Sequence, residues 1–294
     1  MIKITFHSLS TAIMLFSIGC DIKQSPPRQG ENVSVKDTKV ATPVAKRPAN
    51  IADYGLQIDL TAEEAGSMLE STNHDWWVNS GGYFFVKKGI GSSVQGDLPS
   101  TDRWFRLYKS SNPTDTDDGK HPQNIFRLMT KKSLGDVRQI AYFKINAYNA
   151  SASPNREGHN GILFFSRYQD GDTSYYTGLR VDGRAIIKKK VNGKYFTLAQ
   201  PKIIEGAFNR NTRPNLLPLD TWIGMWSEVK TKSDKTVAIT IAISLKENPN
   251  LDTWSKTETL DDGDVGGPPI QEAGYAGIRS DFMDLEFKEY QLNN

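Results

Sequence analysis

The run 236–245 places Val237, Ile239, Ile241, Ile243 and Leu245 on one side of an extended chain and Thr236, Ala238, Thr240, Ala242 and Ser244 on the other. A period of two residues marks a strand with one buried face, because a helix would scatter those five apolar side chains around its circumference. The stretch 141–147 repeats the pattern, with Phe143 and Ile145 expected inward and Tyr142, Lys144 and Asn146 outward. Further strands are expected over 162–168, 174–182, 184–190, 195–198 and 282–292. Turn sequences divide them: Gln169-Asp170-Gly171-Asp172, Asp182-Gly183 and Asn192-Gly193. Asn-Gly and Asp-Gly accept the positive φ that a two-residue hairpin turn demands. Thr61-Ala62-Glu63-Glu64 has capping-box spacing, so a short helix is expected near 61–69. Many short strands, long polar loops and little helix predict an all-β chain, an antiparallel β-sandwich over 51–294.

The first twenty residues carry Lys3, an apolar stretch from Leu9 to Ile18 and small residues before the chain's single cysteine, Cys20. The stretch is too short to span a bilayer and reads as a secretory signal. Ser17-Ile18-Gly19-Cys20 resembles a bacterial lipoprotein signal, in which the thiol is acylated and becomes the mature N-terminus; a leucine is usual where Ser17 stands. On that resemblance Asp21 implies retention at the inner membrane, facing the periplasm, under the rule of enteric-type bacteria. Residues 21–50 contain no aromatic side chain, four prolines and a net charge of +3. Such a segment cannot bury enough apolar area to offset its ordering entropy and is expected to be a disordered tether. The whole chain has 36 Lys and Arg against 34 Asp and Glu, a net +2, so no overall field draws it to nucleic acid.

Gly161-Ile-Leu-Phe-Phe-Ser-Arg-Tyr168, the run from Tyr175 to Tyr195, Trp222-Ile-Gly224 and Gly274-Tyr-Ala-Gly-Ile-Arg-Ser-Asp281 together resemble the concanavalin A-like (laminin G-like) lectin and glucanase domains. The resemblance lies in hairpin and strand order, covers about 76–292 and implies a jelly roll. Lectins, carbohydrate-binding modules, glycoside hydrolases and polysaccharide lyases are all built on that scaffold, so fold alone does not choose among them.

The hydrolases of this group carry carboxylates at alternating positions of one strand, flanking the scissile bond. Asp284 and Glu286 share a face here, while Glu289 falls on the other face unless a bulge intervenes. The alginate-lyase-like branch needs Arg, Gln with His, and Tyr; Gln139 is followed by Ile140 and Ala141 where the His would stand, and Tyr142-Phe-Lys144 only echoes the closing strand. His74, His121 and His159 lie in polar, loop-like contexts. Asp115-Thr-Asp117-Asp118-Gly119 and Asp261-Asp262-Gly263-Asp264 offer oxygen ligands at turn spacing, compatible with structural Ca²⁺, although acidic glycine turns form without metal too.

A glycan groove needs aromatic faces for the C–H sides of sugar rings and fork-like polar groups for the hydroxyls. Trp104 and Arg106 alternate on an expected strand, as do Tyr176, Arg180 and Asp182, and Arg167, Tyr168 and Gln169 close the neighbouring one. Trp76, Trp77, Trp222 and Trp226 are expected in the core, and Lys188-Lys189-Lys190 either touches an acidic polymer or forms only a solvated edge that discourages strand addition. Three readings stay open: a membrane-tethered glycan-binding module using Trp104, Arg106, Arg167, Tyr168, Tyr176, Arg180 and Asp182; a lyase or glycosidase using the same groove; or an envelope scaffold or adhesion lipoprotein that binds protein.

Overall fold

A computed structural model describes residues 53–245 and 256–294. The leader with Cys20, Asp21 and the tether to residue 50 lie outside the described residues. Fifteen strands follow in order: β1 (Leu60–Glu63), β2 (Trp76–Ser80), β3 (Tyr83–Lys87), β4 (Ile90–Ser93), β5 (Arg127–Leu134), β6 (Val137–Tyr148), β7 (Gly161–Asp170), β8 (Thr173–Arg180), β9 (Ala185–Val191), β10 (Lys194–Ala199), β11 (Ile223–Thr231), β12 (Val237–Ser244), β13 (Lys256–Asp262), β14 (Gly274–Ser280) and β15 (Met283–Asn293). Among the described residues one α-helix, α1 (Arg103–Ser111), lies between β4 and β5.

The strands form an eight-stranded sheet, β1-β3-β4-β15-β6-β11-β12-β13, and a seven-stranded sheet, β10-β9-β8-β7-β14-β5-β2. Neighbours in both sheets run antiparallel, and sequence-distant strands lie side by side, as in a jelly roll. The alternating residues expected inward meet between the sheets: Phe143, Ile145, Val237, Ile239, Ile241 and Ile243 pack in one core with Ile162, Phe164, Leu179 and Ile187. Phe84 and Phe287 stack at 5.6 Å in the same core. Each such buried side chain contributes about 1.5–3 kcal/mol. The Asn192-Gly193 turn has positive φ at both residues, 49° and 77°, as expected for the β9–β10 hairpin.

Polar side chains bridge the sheets at several places. Lys189 of β9 and Asp262 of β13 form an ion pair at 2.9 Å, both side chains 0% exposed, and the Tyr175 hydroxyl donates to the same carboxylate. Thr177 donates to Ser227 at 2.8 Å, and the Gln139 amide donates to Ser166 and the Phe165 carbonyl.

Several expectations are corrected. The chain near 61–69 is not helical: Leu60–Glu63 pairs with β3, and the Glu64 carboxylate accepts from Gly82 N–H and Tyr108 O–H instead of capping a helix. Trp104 and Arg106 lie on α1, not on a strand; the Asp102 carboxylate caps that helix by accepting from Trp104 N–H. Of the four tryptophans expected in the core, Trp76, Trp77 and Trp226 are buried, Trp76 between the sheets and the other two in smaller apolar clusters, while Trp222 departs from the expectation. Trp77 sits on the outer face of the seven-stranded sheet, Trp226 packs with Ile140 and Ala242 outside the eight-stranded sheet, and Trp222 is half-buried with the ammoniums of Lys144 and Lys288 5.2 and 4.4 Å from its ring centroid.

Candidate functional site

The register of the seven-stranded sheet fixes what its outer face presents. Trp77, Met129, Gly277, Phe165, Tyr176 and Lys188 are successive cross-strand partners on β2, β5, β14, β7, β8 and β9. A neighbouring row runs Arg127, Arg279, Leu163, Gly178 and Ile186. A third row begins with Tyr275 and Tyr168 on β14 and β7 and includes Ser174, Lys190 and Tyr195 on β8, β9 and β10. Trp77, Met129, Leu163, Phe165, Tyr168, Tyr176 and Ile186 form a second apolar cluster, the floor of this face.

Charge and aromatic rings meet at the β8–β10 end. The Tyr176 and Tyr195 rings are 5.9 Å apart, and Tyr195 is 47% exposed. The Lys188 ammonium stands 5.4 Å from the Tyr176 centroid and 4.7 Å from that of Tyr195, close enough for cation–π attraction. The Arg279 guanidinium lies 5.9 Å from the Tyr176 centroid and donates through Nε to Asp281 at 2.9 Å. Burial, reinforced by the Arg279 charge, pulls Lys188 down to about 8. Burial alone would raise the Tyr195 phenol, but the cations of Arg279, Lys188 and Lys190 outweigh it and bring it down to about 7. Burial and then the neighbouring Tyr195 push Tyr176 up to about 12. His159, at the same end, is lowered by burial and then by Lys188, which favours the neutral imidazole.

Of the residues singled out in the sequence, Tyr168 and Tyr176 do share this face, with Tyr168 edge-on to Phe165 at 5.4 Å. Arg180 and Asp182 pair with each other at 2.6 Å in the β8–β9 connection, so their charges largely cancel. Arg167 is corrected: its side chain is 0% exposed and bonds the Gly135 and Ile270 carbonyls, Thr231 and Asp136. A bulge after Ser166, with φ 50° at Arg167, turns two consecutive residues inward and returns Tyr168 to the outer face. Trp104 is buried on α1, and Arg106 donates to the Thr101 carbonyl. Tyr195, Arg279, Arg127 and Asp281 were not among the predicted contacts, and the lysine run 188–190 is corrected from a solvated edge, because alternation turns Lys189 between the sheets and Lys188 and Lys190 onto the outer face, half-buried. Alternation could have found Arg279 and Lys188, since Tyr275, Gly277 and Arg279 share a parity, as do Lys188 and Lys190, whereas Arg127 opens β5 and Asp281 lies just beyond β14.

The other chemical candidates are engaged elsewhere. Gln139 lies between the sheets and accepts from Tyr290 O–H, whereas Tyr142, of opposite parity, faces outward, so the two do not converge. Asp284 accepts from Gly96 N–H, Gln123 and Asn149, and Glu286 pairs with Lys144 at 2.6 Å. A bulge does intervene near Glu289, where φ is 53°. Asp115 accepts from Ser153 and Asn155, and Asp117 from Ser151, Asn124 and His121. Among the described residues, no group of three or more His, Asp or Glu side chains is placed to hold a metal ion.

Sheet order, antiparallel pairing and a single inter-sheet core define the jelly-roll class of β-sandwich. No family model matches the sequence, and no curated protein matches it. Among solved structures the chain is similar to the carbohydrate-binding module CBM66 from Bacillus subtilis, at 10% identity over 74% of this chain and 95% of that one, with a TM-score of 0.45. A protein of unknown function with a galectin-like fold, also from Bacillus subtilis, is 10% identical over 83% and 97%, with a TM-score of 0.43. The PL-14 alginate lyase from Aplysia kurodai is 8% identical over 80% and 98%, with a TM-score of 0.36. Identity this low leaves residue roles to be argued from the site itself.

Proposed function

We propose that this is an exported, lipid-anchored β-sandwich that binds a polysaccharide or other glycan on the outer face of its seven-stranded sheet. The observation that carries this reading is the pair Tyr176 and Tyr195, 5.9 Å apart, with Lys188 beside both rings and Arg279 beside Tyr176. Sugar rings stack their C–H faces on such phenols, while ammonium and guanidinium groups take the hydroxyls. Convergent aromatic and polar groups on one face are the usual mark of a binding site. The export and anchoring rest on Lys3, the apolar run to Ile18 and Cys20. Acylation there holds the domain at a membrane of the cell envelope, the periplasmic face of the inner membrane if Asp21 is obeyed.

A glycan array read with the parent and a Tyr176→Ala/Tyr195→Ala variant tests the reading. Binding that the variant loses supports it. Absence of binding to every glycan overturns it and leaves the envelope scaffold that binds protein. For the anchor, Cys20→Ser is expected to move the protein from the detergent phase to the aqueous phase on partitioning.

One observation favours a second reading, a polysaccharide lyase in the same groove. The Lys188 and Lys190 ammoniums stand 4.7 and 5.0 Å from the Tyr195 centroid. Against the rise that burial alone would give, Arg279, Lys188 and Lys190 draw the phenol down to about 7, which suits it to accept a proton near neutral pH. Release of an unsaturated product absorbing in the ultraviolet, abolished in Tyr195→Phe, would establish it. Hydrolysis gains no comparable support, because Asp284 is held by three donors, Gly96 N–H and the Gln123 and Asn149 amides.

A further inference from the structure

We propose that the glycan seated on this face is acidic, with its carboxylate or sulfate ester groups met by Lys188 and Arg127, the cations of the face that have no carboxylate partner among the described residues. This rests on the glycan-binding reading and names the class of polymer.

Arg127 and Arg279 are direct cross-strand partners on β5 and β14. Like charges placed opposite each other destabilise an antiparallel pair, a cost that the Arg279–Asp281 ion pair offsets in part. Lys188 adds a third cation to the same face, beside Tyr176. The acidic side chains balance only one of these three. Asp281 largely cancels the Arg279 charge, accepting from Nε and Nη2 through Oδ1 at 2.9 Å, as Asp182 does for Arg180, so the uncompensated cations of the face are Lys188 and Arg127. Lys188 and Arg127 form no ion pair among the described residues. The field of Arg127 reaches Glu64, but that carboxylate already accepts from Tyr108 O–H at 2.6 Å and Gly82 N–H at 2.9 Å. Lys190 is different, being tied to Asp172 and to the Gly171 carbonyl.

These cations are not merely solvated. The Arg279 side chain is 15% exposed, and the Lys188 ammonium lies over phenol rings. A neutral sugar would give Lys188 and Arg127 hydroxyl oxygens but no counter-charge. A carboxylate or sulfate gives both, and its planar or trigonal oxygens suit the guanidinium fork. The ring that bears the anion would lie over the floor of Tyr176 and Tyr195, so the two elements of the site read the two halves of an acidic sugar.

The test is affinity electrophoresis of the full chain in gels containing polygalacturonate or alginate (carboxylates), carrageenan (sulfate ester), and a mixed-linkage β-glucan or mannan (neutral). Acidic polymers are expected to retard the protein at least about tenfold more strongly than neutral ones, as charge-assisted bonds imply. Lys188→Gln and Arg127→Gln, each shown folded by its thermal melt, are each expected to weaken that retardation about tenfold. Comparison of the carboxylate and sulfate arms identifies the anionic group. Equal retardation by a neutral polymer, or parent-like behaviour of both folded variants, overturns the inference. Neutral-polymer binding lost in Tyr195→Ala would overturn it and keep glycan binding, whereas no retardation by any polymer would overturn both.

Discussion

The Lys188 ammonium stands 4.7 Å from the centroid of the Tyr195 ring, on the strand between Tyr195 and Tyr176, so one cation serves two phenols. The pair titrates near neutrality, Tyr195 at about 7 and Lys188 at about 8. As pH rises through these values the phenol gains a negative charge and the ammonium loses its positive one. Affinity for an acidic polymer is therefore expected to be full below both values and to fall as pH passes through them. Affinity measured against pH checks this, and Tyr195→Phe is expected to remove the lower of the two steps, together with its phenolate absorbance.

Stacking and ionisation at Tyr195 can be separated. Tyr195→Ala is expected to weaken glycan binding about tenfold, since a ring contact is worth about 1 kcal/mol or more. Tyr195→Phe keeps the ring and is expected to bind within about threefold of the parent at pH 6. Titration calorimetry on both variants decides between a stacking and a hydroxyl role.

The pair Lys189 and Asp262 is completely buried, and Asp262 also accepts from Tyr175. Lys189→Met would leave a carboxylate in the core without its cation, at an expected cost of about 3–5 kcal/mol in a denaturant melt. Replacing both, Lys189→Met with Asp262→Leu, is expected to recover a large part of that loss, because the stranded charge is gone.

Arg167 donates to two backbone carbonyls and to Thr231 inside the sandwich. Arg167→Leu is expected to lower stability by about 2–4 kcal/mol, leaving those acceptors dry and unpaired. Glycan affinity of the folded fraction should stay unchanged. Parallel melting and binding measurements distinguish this from a ligand contact, which would lose affinity first.

Strand faces were readable wherever alternation ran without interruption, as in 236–245 and 141–147, and the Asn192-Gly193 turn followed from local φ preference alone. Two local signals misled. The capping-box letters at 61–64 give way to pairing with β3, and Trp104 and Arg106 are spaced like a strand yet follow the helix cap Asp102. At the site, Tyr176 was legible because its strand is regular. Arg167 was not, since a bulge reverses parity at that point and nothing in the neighbouring letters announces it. Arg127 and Arg279 lie far apart in sequence, and only the β5–β14 pairing sets them together.

The polar links between the sheets have a consequence for recognition. Two layers joined only by Ile, Val and Leu can slip past each other by a notch, because dispersion has no preferred partner. Lys189 with Asp262, Thr177 with Ser227 and Gln139 with Ser166 each have one mate at one place, and they pin the layers against shear. Behind the floor of Phe165 and Tyr176 there is thus a stiff backing plate. On the proposed glycan-binding reading, the spacing of rings and cations is set before any sugar arrives, and a polymer whose repeat does not match that spacing is expected to bind more weakly.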